Sequence, residues 1–357
     1  MFNLLQPIVE FYTNNKEFIN NLLSGAFPAI VGVLWWFIWR HRQRRIPEKS
    51  YQALKIKPDD YEAWNNQGNA LVNLGKLEEA ITSYDQALKI KPDYHEAWNN
   101  RGYVLGNLGR LEEAIVSYDQ ALKIKPDDHQ AWYNRGIALR NLGRLEEAIV
   151  SYDQALKIKP DYEEAWNNRG FALFNLGRLE EAIASYEQAI KIKPDDHDAC
   201  YNRGYALFNL GRLEEAIASY DQALKIKSDY HDACYNRGYA LFNLGRLEEA
   251  IASYDQALKI KPDKHEAWYS QGVALGNLGR FEEAIASFDQ ATKIKPDKDQ
   301  AWYNKACCYG LLGNVNLAIE NLQQAINLNL EWREMAKTDT DFDNIQEDQR
   351  FQDLISR

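Results

Sequence analysis

The sequence contains few of the residues, and none of the motifs, that enzymes and metal proteins use for chemistry. Its 357 residues include only 4 Cys, 6 His and 2 Met. A phosphate-binding loop, a dinucleotide-binding glycine motif, a zinc-ligand spacing and a nucleophile elbow are all absent from it. We therefore expect a protein that is not an enzyme, with no catalytic residues, no metal site and no cofactor.

Positive charge is also scarce over most of the chain. The net charge is −10, although residues 1–49 hold six Lys/Arg and three Asp/Glu, a net charge of +3. That leaves −13 for residues 50–357. Because the neutralisation of phosphates supplies most of the affinity for nucleic acid, this charge predicts that nucleic acid is not a partner.

One long uncharged apolar stretch runs from Leu22 to Trp39, with the sequence LLSGAFPAIVGVLWWFIW. As a helix its 18 residues span roughly 27 Å, close to the thickness of a bilayer core. Three Trp lie in its C-terminal part and four Arg follow at residues 40–45, as is typical of the cytoplasmic end of a membrane helix. The pattern predicts a single-pass protein of a plasma or thylakoid-type membrane, with the rest of the chain in the cytoplasm.

Two alternatives to a membrane helix exist for this stretch. A cleaved signal peptide has a basic segment before its apolar run, but here Glu10 and Glu17 offset Lys16. A buried helix that caps the rest of the fold is disfavoured by the apolar character on every side and by the arginines that follow. Before the run, apolar residues recur at helical spacing, which is typical of a helix on the outer membrane surface. The alternative for this segment is a frayed terminus.

From Tyr61 to Trp332 the sequence repeats every 34 residues, eight times. A representative unit is HQAWYNRGIALRNLGRLEEAIVSYDQALKIKPDY, residues 129–162. Its apolar spacing predicts two helices per unit, and no unit can bury its apolar face without a neighbour. The eight units are 61–94, 95–128, 129–162, 163–196, 197–230, 231–264, 265–298 and 299–332.

Residues at fixed positions of the unit have separate structural roles. Asp127, with Gln130 completing a capping box, is predicted to cap the first helix of residues 129–162. Trp132 is predicted to supply the large buried aromatic surface, and Gly143 to adopt the left-handed turn that ends the first helix. Pro160 is predicted to end the second helix.

Small residues and cysteines also have structural interpretations. Gly136 and Ala148 are small enough to let the two helices of a unit approach closely. Cys200 and Cys234 replace the Trp and occupy equivalent places one repeat apart, at roughly a helix-packing distance of 10 Å. That separation is beyond disulfide reach, and the neighbours Cys307 and Cys308 point in different directions. The sequence predicts free thiols in a reducing cytosol.

The period and pattern of the unit resemble the tetratricopeptide repeat, which is marked by an aromatic residue, a Gly, small Ala positions and a closing Pro. The sequences of the repeats are similar to those of long repeat proteins of cyanobacteria and related bacteria. The resemblance implies an all-α superhelical solenoid whose first helices line a concave groove for peptides or partner helices. We expect this order along the chain: an extracytoplasmic segment (1–21), a transmembrane helix (22–39), a basic linker (40–49), a half-repeat (50–60), eight repeats (61–332), and a C-terminal capping helix and tail (333–357).

An asparagine recurs at the sixth position of the repeat, counting Tyr61 as position one. Seven of the eight repeats have it, and Ser270 is the exception. A row of amides can hydrogen-bond a peptide backbone as donor and as acceptor. It resembles the asparagine ladder of protein O-linked N-acetylglucosamine transferases. The alternative is that Asn was copied by duplication. The candidate partner-binding members are Asn134, Asn168, Asn202 and Asn236.

Aromatic residues cluster at positions five, nine and twelve of the fourth to sixth repeats. Exposed aromatic clusters commonly mark binding sites, so this patch is the second candidate for contact with a partner. Packing of these rings against the neighbouring repeat is the alternative. The candidate residues are Phe171, Phe174, Tyr201, Tyr205, Phe208, Tyr235, Tyr239 and Phe242.

Five histidines recur at position one, 34 or 68 residues apart, and are predicted to be solvated turn residues because one metal ion cannot reach two of them. Arg at position seven is predicted to pack its stem and pair with nearby carboxylates. Asp339, Asp341 and Asp343 imitate a calcium loop, but Asn344 and Arg350 replace its Gly and Glu.

These observations predict a membrane-anchored scaffold that binds other proteins. A chaperone carboxylate clamp is not expected, because positions two, five and six lack the Lys and Arg that such clamps use. The alternatives are a structural protein that associates with itself into homo-oligomers, or an assembly factor for a membrane complex such as a photosystem, by analogy alone.

Overall fold

A computed structural model describes residues 59–356, and the regular structure in this range is entirely helical. The segments predicted at 1–21, 22–39 and 40–49, with nearly all of the half-repeat at 50–60, lie outside the described residues. Among residues 59–356, no helix combines the length and the apolarity needed to cross a bilayer.

The helices fall into two compact units, one ending at Leu142 and the other beginning at Gly143. The first unit contains the helices of two complete repeats and the first helix of a third. In chain order they are α1 (Tyr61–Asn73), α2 (Leu77–Ile90), α3 (His95–Asn107), α4 (Leu111–Ile124) and α5 (His129–Asn141).

The second unit continues the same alternation through the eighth repeat and adds a C-terminal cap. Its repeat helices are α6 (Leu145–Ile158), α7 (Glu163–Asn175), α8 (Leu179–Ile192), α9 (His197–Asn209), α10 (Leu213–Ile226), α11 (His231–Asn243), α12 (Leu247–Ile260), α13 (His265–Asn277), α14 (Phe281–Ile294), α15 (Asp299–Leu311) and α16 (Val315–Leu328). The cap consists of α17 (Glu331–Ala336), a 3-10 helix (Thr340–Ile345) and α18 (Gln349–Ser356).

Within each unit the helices pack in chain order. A first helix packs against the second helix of its own repeat, and that second helix packs against the first helix of the next repeat. First helices of successive repeats also touch, for example α9 and α11, or α11 and α13. The predicted all-α repeat solenoid is therefore confirmed within each of the two compact units.

The closest contact inside a repeat joins the Gly at position eight to the Tyr at position 24. Tyr220 and Tyr254 are completely buried. A Cβ placed on Gly238 would lie 2.7 Å from the ring of Tyr254, which is inside van der Waals contact. The small residue predicted to let the helices approach closely is therefore needed at position eight, because the ring of the position-24 tyrosine packs against the first helix there. The eighth repeat changes both partners together, to Ala306 and Leu322.

The Trp at position four has a different role from the one predicted. Trp268 is only partly buried, and the largest fully buried side chains of the repeats are instead the tyrosines at position 24. Its indole Nε1 donates to the carbonyl oxygen of Pro262 at 2.9 Å. Four other Trp make the same bond to the closing Pro of the preceding repeat, so this side chain links repeats.

The predicted helix ends are confirmed, but the predicted cap is wrong by one residue. Gly143 has φ +78°, the left-handed conformation that follows the end of α5. Asp128, and not Asp127, accepts the N–H groups of Gln130 and Ala131, because α5 begins at His129 and its cap is the residue just before. The Gln130 side chain donates to Asn134, so it does not complete a capping box.

The C-terminal segment packs against the eighth repeat. Phe342, Phe351 and Leu354 are buried in one cluster with Tyr303 and Leu322 of the eighth repeat. Asp339 accepts a hydrogen bond from the Tyr303 hydroxyl at 2.6 Å, which ties the 3-10 helix to α15. All four cysteines are buried free thiols, as predicted, and burial raises their pKa values.

The glycine–tyrosine contact predicts opposite effects for two glycine substitutions in the second unit. Gly238→Ala forces the Tyr254 ring or the Ala250 carbonyl to move, and we expect a loss of about 1–3 kcal/mol of stability. Gly276→Ala adds a methyl group in a helix with nothing within 4 Å, and we expect a gain of up to about 1 kcal/mol. Urea unfolding of both variants tests this, and equal shifts of the two midpoints would contradict it.

Candidate protein-binding face on the first helices

The twelve residues predicted to contact a partner lie on α5, α7, α9 and α11, all of which are first helices of their repeats. Asn134 belongs to the first compact unit, and the other eleven belong to the second. In the second unit, α7, α9, α11 and α13 contact one another in succession. We call the surface formed by these four helices the first-helix face.

The asparagines at position six reach from one repeat to the preceding one. Asn236 donates from Nδ2 to the Tyr201 hydroxyl at 2.8 Å, and Asn202 donates to Oδ1 of Asn167 at 3.2 Å. In the first unit, Asn134 donates to Oδ1 of Asn99 at 3.2 Å. These amides therefore link repeats, a role that the spacing in the sequence did not reveal.

Asn168 has a different contact from the other three candidate asparagines. Its Nδ2 donates to the backbone carbonyl of Glu164, one turn earlier on the same helix, at 2.8 Å. The other three amides each donate to the side chain at position five of the preceding repeat. Recognition of a peptide backbone by this row stays a prediction.

The aromatic residues form a continuous series, which we call the aromatic ladder: Phe171, Phe174, Tyr201, Tyr205, Phe208, Tyr235, Tyr239 and Phe242. At position nine, Phe171, Tyr205 and Tyr239 are 45%, 41% and 42% exposed. These rings are large apolar groups in contact with solvent on three successive first helices. Their exposure agrees with the prediction of a surface patch.

The phenylalanines at position twelve join one rung of the ladder to the next. The ring centroids of Phe174 and Tyr205 are 5.2 Å apart, and those of Phe208 and Tyr239 are 5.3 Å apart, both pairs at an interplanar angle of 41°. Position twelve of one repeat therefore packs against position nine of the next. The alternative interpretation, packing against the neighbouring repeat, therefore applies to one side of these rings. The rings at position nine are also exposed to solvent on their other side.

The tyrosines at position five form the partly buried base of the ladder. Tyr201 stacks along Tyr205 at 6.4 Å, and Tyr235 stacks along Tyr239 at 6.5 Å. Burial raises the pKa of Tyr201 to about 12. The exposed ring at position nine packs on the partly buried ring one turn earlier on its own helix.

The arginines at position seven have the structural role predicted for them. Arg237 donates to Asp221 of the preceding repeat and to Ser253 of its own, both at 2.6 Å. Arg101, Arg135 and Arg169 pair with the equivalent Asp. Arg203 instead bonds Ser219 and Gln222, because the acid at the equivalent place is the longer Glu187.

The histidines at position one are partly buried and begin the first helices. His197, His231 and His265 are each the first residue of their helix, which corrects the prediction of solvated turn residues. The ring of His197 packs edge-on against Tyr230 at 5.4 Å. The fourth repeat has Glu163 in this place.

Glu163 and Asp196 form a buried carboxyl pair that the sequence analysis missed. Burial, and after it the hydrogen bond to Asp196, together raise the pKa of Glu163 to about 8. Burial alone would raise the pKa of Asp196, but the bonds from Glu163 and from the N–H groups of Ala199 and Asp198 lower it. A Glu at a position that holds His in five of the eight repeats was the available signal.

Two groups of potential ligand atoms approach within 4.8 Å of one another among the described residues. They are Asp196, His197 and Asp198 in one group, and Cys307, Asp339 and Asp341 in the other. Asp196 already caps α9, and Asp339 already accepts from Tyr303. Both groups therefore have structural roles at helix ends.

The fold is that of an all-α repeat protein, and aromatic rings are exposed on its first helices. Five family models described as TPR or tetratricopeptide repeats match the sequence, and together they cover residues 51–331 without a gap. One model matches 68–109, 138–177 and 172–211, and another matches 201–265 and 235–299. The chain belongs to the tetratricopeptide repeat family, whose members are protein-interaction scaffolds.

One solved structure shows the same type of fold, and others are similar to parts of the chain. A tetratricopeptide repeat protein from Parabacteroides merdae is 19% identical, with a TM-score of 0.51 over 69% of this chain and 97% of its own. YrrB, described as having an unusual peptide-binding site, is 25% identical, with a TM-score of 0.47 over 53% and 97%. The pilF protein of Pseudomonas aeruginosa is 18% identical, with a TM-score of 0.49 over 57% and 92%. No curated protein matches the sequence.

The Glu163–Asp196 pair predicts a specific dependence of stability on pH. The folded chain keeps a proton on Glu163 that the unfolded chain releases near pH 4.5, so stability falls as pH rises from about 4.5 to about 8. Glu163→Gln keeps a donor to Asp196 but cannot ionise. We expect this variant to match the wild type near pH 4 and to exceed its melting temperature at pH 8. A difference in melting temperature between the variant and the wild type that is the same at pH 4 and at pH 8 would overturn the assignment.

Proposed function

We propose that the protein is a membrane-anchored scaffold whose aromatic ladder binds a peptide or helical segment of partner proteins. The observation that carries the proposal is the row of exposed rings on α7, α9 and α11. A repeat protein that binds nothing on this face gains no stability from leaving Phe171, Tyr205 and Tyr239 in water. Aromatic side chains of this kind dominate the energetics of protein interfaces.

The ladder is ordered without a partner. Each exposed Tyr is held by a Phe of the preceding repeat and by the Tyr one turn earlier on its own helix. A pre-ordered ring loses little conformational entropy on binding, so more of the contact energy appears as affinity. The recurrence of the arrangement at 34-residue intervals suits an extended or helical ligand that crosses several repeats.

Charge on the first-helix face supports a ligand that is not a C-terminal carboxylate. Position two carries Asp198 and Asp232, which bond Tyr230 and Lys264 respectively. Positions five and six carry Tyr and Asn in these repeats. The lysines and arginines of a carboxylate clamp have no counterpart at these places in α9 and α11, so recognition rests on apolar contact and amide hydrogen bonds.

Membrane anchoring is part of the proposal and rests on the sequence of Leu22–Trp39 and the arginines after it. An anchored scaffold would gather its partners at the cytoplasmic surface of a membrane. Self-association by end-to-end stacking of repeats is the weaker alternative. The cap formed by α17, the 3-10 helix and α18 covers apolar residues of the eighth repeat, which argues against stacking at that end.

The binding proposal predicts that the ladder can be disabled without damage to the fold. In the full-length protein, Tyr205→Ala with Tyr239→Ala should lower capture of partners from the native membrane at least tenfold, or about 1.4 kcal/mol. The matched control is Tyr103→Ala, which removes a 50% exposed ring at the same position of the second repeat. Crosslinking and quantitative recovery measure capture. Equal loss in both variants, or no loss in either, would contradict the ladder as the binding surface.

The anchoring proposal predicts where the chain is found in a cell. The intact protein should sediment with membranes and resist extraction by high salt, because an apolar span is held by burial and not by charge. A variant with Leu22–Trp39 deleted should be released. Protease added to cytoplasm-facing-out vesicles should digest the repeats of the intact protein. Protected repeats, or a deletion variant that still sediments, would contradict the topology.

A further inference from the structure

The aromatic ladder stops at the seventh repeat, where a ring is missing. Phe174 packs against Tyr205, and Phe208 packs against Tyr239. The next phenylalanine in the series, Phe242, faces position nine of the seventh repeat, and Val273 stands there in place of Tyr. The last rung of the ladder therefore lacks its second ring.

A second truncation lies beside the first. Position six of the seventh repeat is Ser270, where every other repeat has Asn. Asn236 spans to the Tyr201 hydroxyl at 2.8 Å, whereas the shorter Ser270 lies 3.5 Å from the Tyr235 hydroxyl. Both departures from the repeat pattern remove side-chain atoms from the same place on α13.

The two truncations coincide with a cavity of about 190 Å³. Its lining is Tyr239, Phe242, Tyr254, Tyr269, Ser270 and Val273. Four of these six side chains are aromatic rings. A dry cavity of about 150 Å³ is already large enough to admit benzene, so the volume suffices for one six-membered ring.

We propose that this cavity, which we call the Val273 pocket, binds a single aromatic side chain supplied by a partner. The proposal deepens the proposed function and rests on it: the ladder provides the surface, and the pocket provides the anchor. The bound ring takes the place that Tyr205 and Tyr239 occupy in the two preceding repeats. The chain thus contains two filled copies of the site and one open copy.

The filled copies indicate why the ligand is aromatic and not aliphatic. In both of them a Phe at position twelve meets the incoming ring at a centroid distance of 5.2–5.3 Å and an angle of 41°. Offset and tilted ring pairs of this kind are stabilised beyond the area they bury. A Leu or Ile side chain in the same place would bury area but gain no ring–ring term.

The pocket can be closed with side chains that the protein already uses. Ser270→Asn with Val273→Tyr gives the seventh repeat the pair found in the sixth, Asn236 and Tyr239. We expect the double variant to fold, to melt at the wild-type temperature or higher, and to have no pocket. Val273→Ile is the matched control, because it adds one carbon and no ring.

A second pocket can be opened by the reverse change. Asn202→Ser with Tyr205→Val removes the same atoms from the fifth repeat, beside Phe174. Tyr186 and Tyr201 then occupy the places that Tyr254 and Tyr269 have around the Val273 pocket. We expect this variant to bind two rings where the wild type binds one.

The probe is N-acetyl-4-fluoro-L-phenylalaninamide, observed by fluorine NMR with full-length protein in detergent micelles. Because the micelles are common to all variants, differences between variants report the pocket alone. We expect millimolar affinity in the wild type and in Val273→Ile, at least tenfold weaker binding in the closed variant, and doubled stoichiometry in the opened one. Equal binding by the closed variant and the wild type would overturn the proposal, as would equal displacement of the probe by N-acetyl-L-leucinamide and N-acetyl-L-phenylalaninamide.

Partner capture separates the pocket from the ladder. Capture that is lost on substitution of Tyr205 and Tyr239 but unchanged in the closed variant would overturn the pocket as a partner anchor and leave the proposed function standing. Probe binding that is lost in the closed variant, with capture unaffected by any ladder substitution, would keep the ring site and overturn the proposed function.

Discussion

The contact between the position-eight glycine and the position-24 tyrosine is the constraint on which the rest of this structure depends. The ring of Tyr254 lies 2.7 Å from the place of a Cβ on Gly238, so a larger residue at position eight would prevent the two helices of a repeat from meeting at this spacing. That spacing fixes which residues of the first helix face away from the second. The surface residues at positions five, six, nine and twelve therefore recur in the same geometry from repeat to repeat.

Contacts between repeats then carry the register along each unit. The indole of Trp268 bonds the Pro262 carbonyl, Arg237 pairs with Asp221, and Asn236 bonds the Tyr201 hydroxyl. Each of these contacts joins one repeat to the one before it, as expected of a protein stabilised by nearest-neighbour interfaces. Because the contacts recur, the ring pairs of the ladder have nearly the same separation in successive repeats.

Much of this architecture could be predicted because its determinants are local. The 34-residue period, the left-handed Gly143 and the helix end before Pro160 each depend on a few adjacent residues. Contacts between repeats were harder to predict, since an Asn at position six is compatible with binding a peptide or a neighbouring repeat. The Glu163–Asp196 pair joins the first and the last residue of the fourth repeat, and the cavity beside Val273 arises from missing atoms. Neither has a local sequence signature, although both lie where the repeat departs from its own pattern.

Departures from the pattern, more than the pattern itself, give this protein a distinctive surface. The side chains at positions nine and twelve differ between repeats, and only the fourth to sixth repeats combine two rings there. Photo-crosslinking in living cells tests most directly whether this surface binds partners. Benzoylphenylalanine at positions 171, 205 or 239 should form adducts with the same partner, whereas the same group at 103, 116 or 150 should not. Adducts only from 116 or 150, on the second helices, would contradict the account.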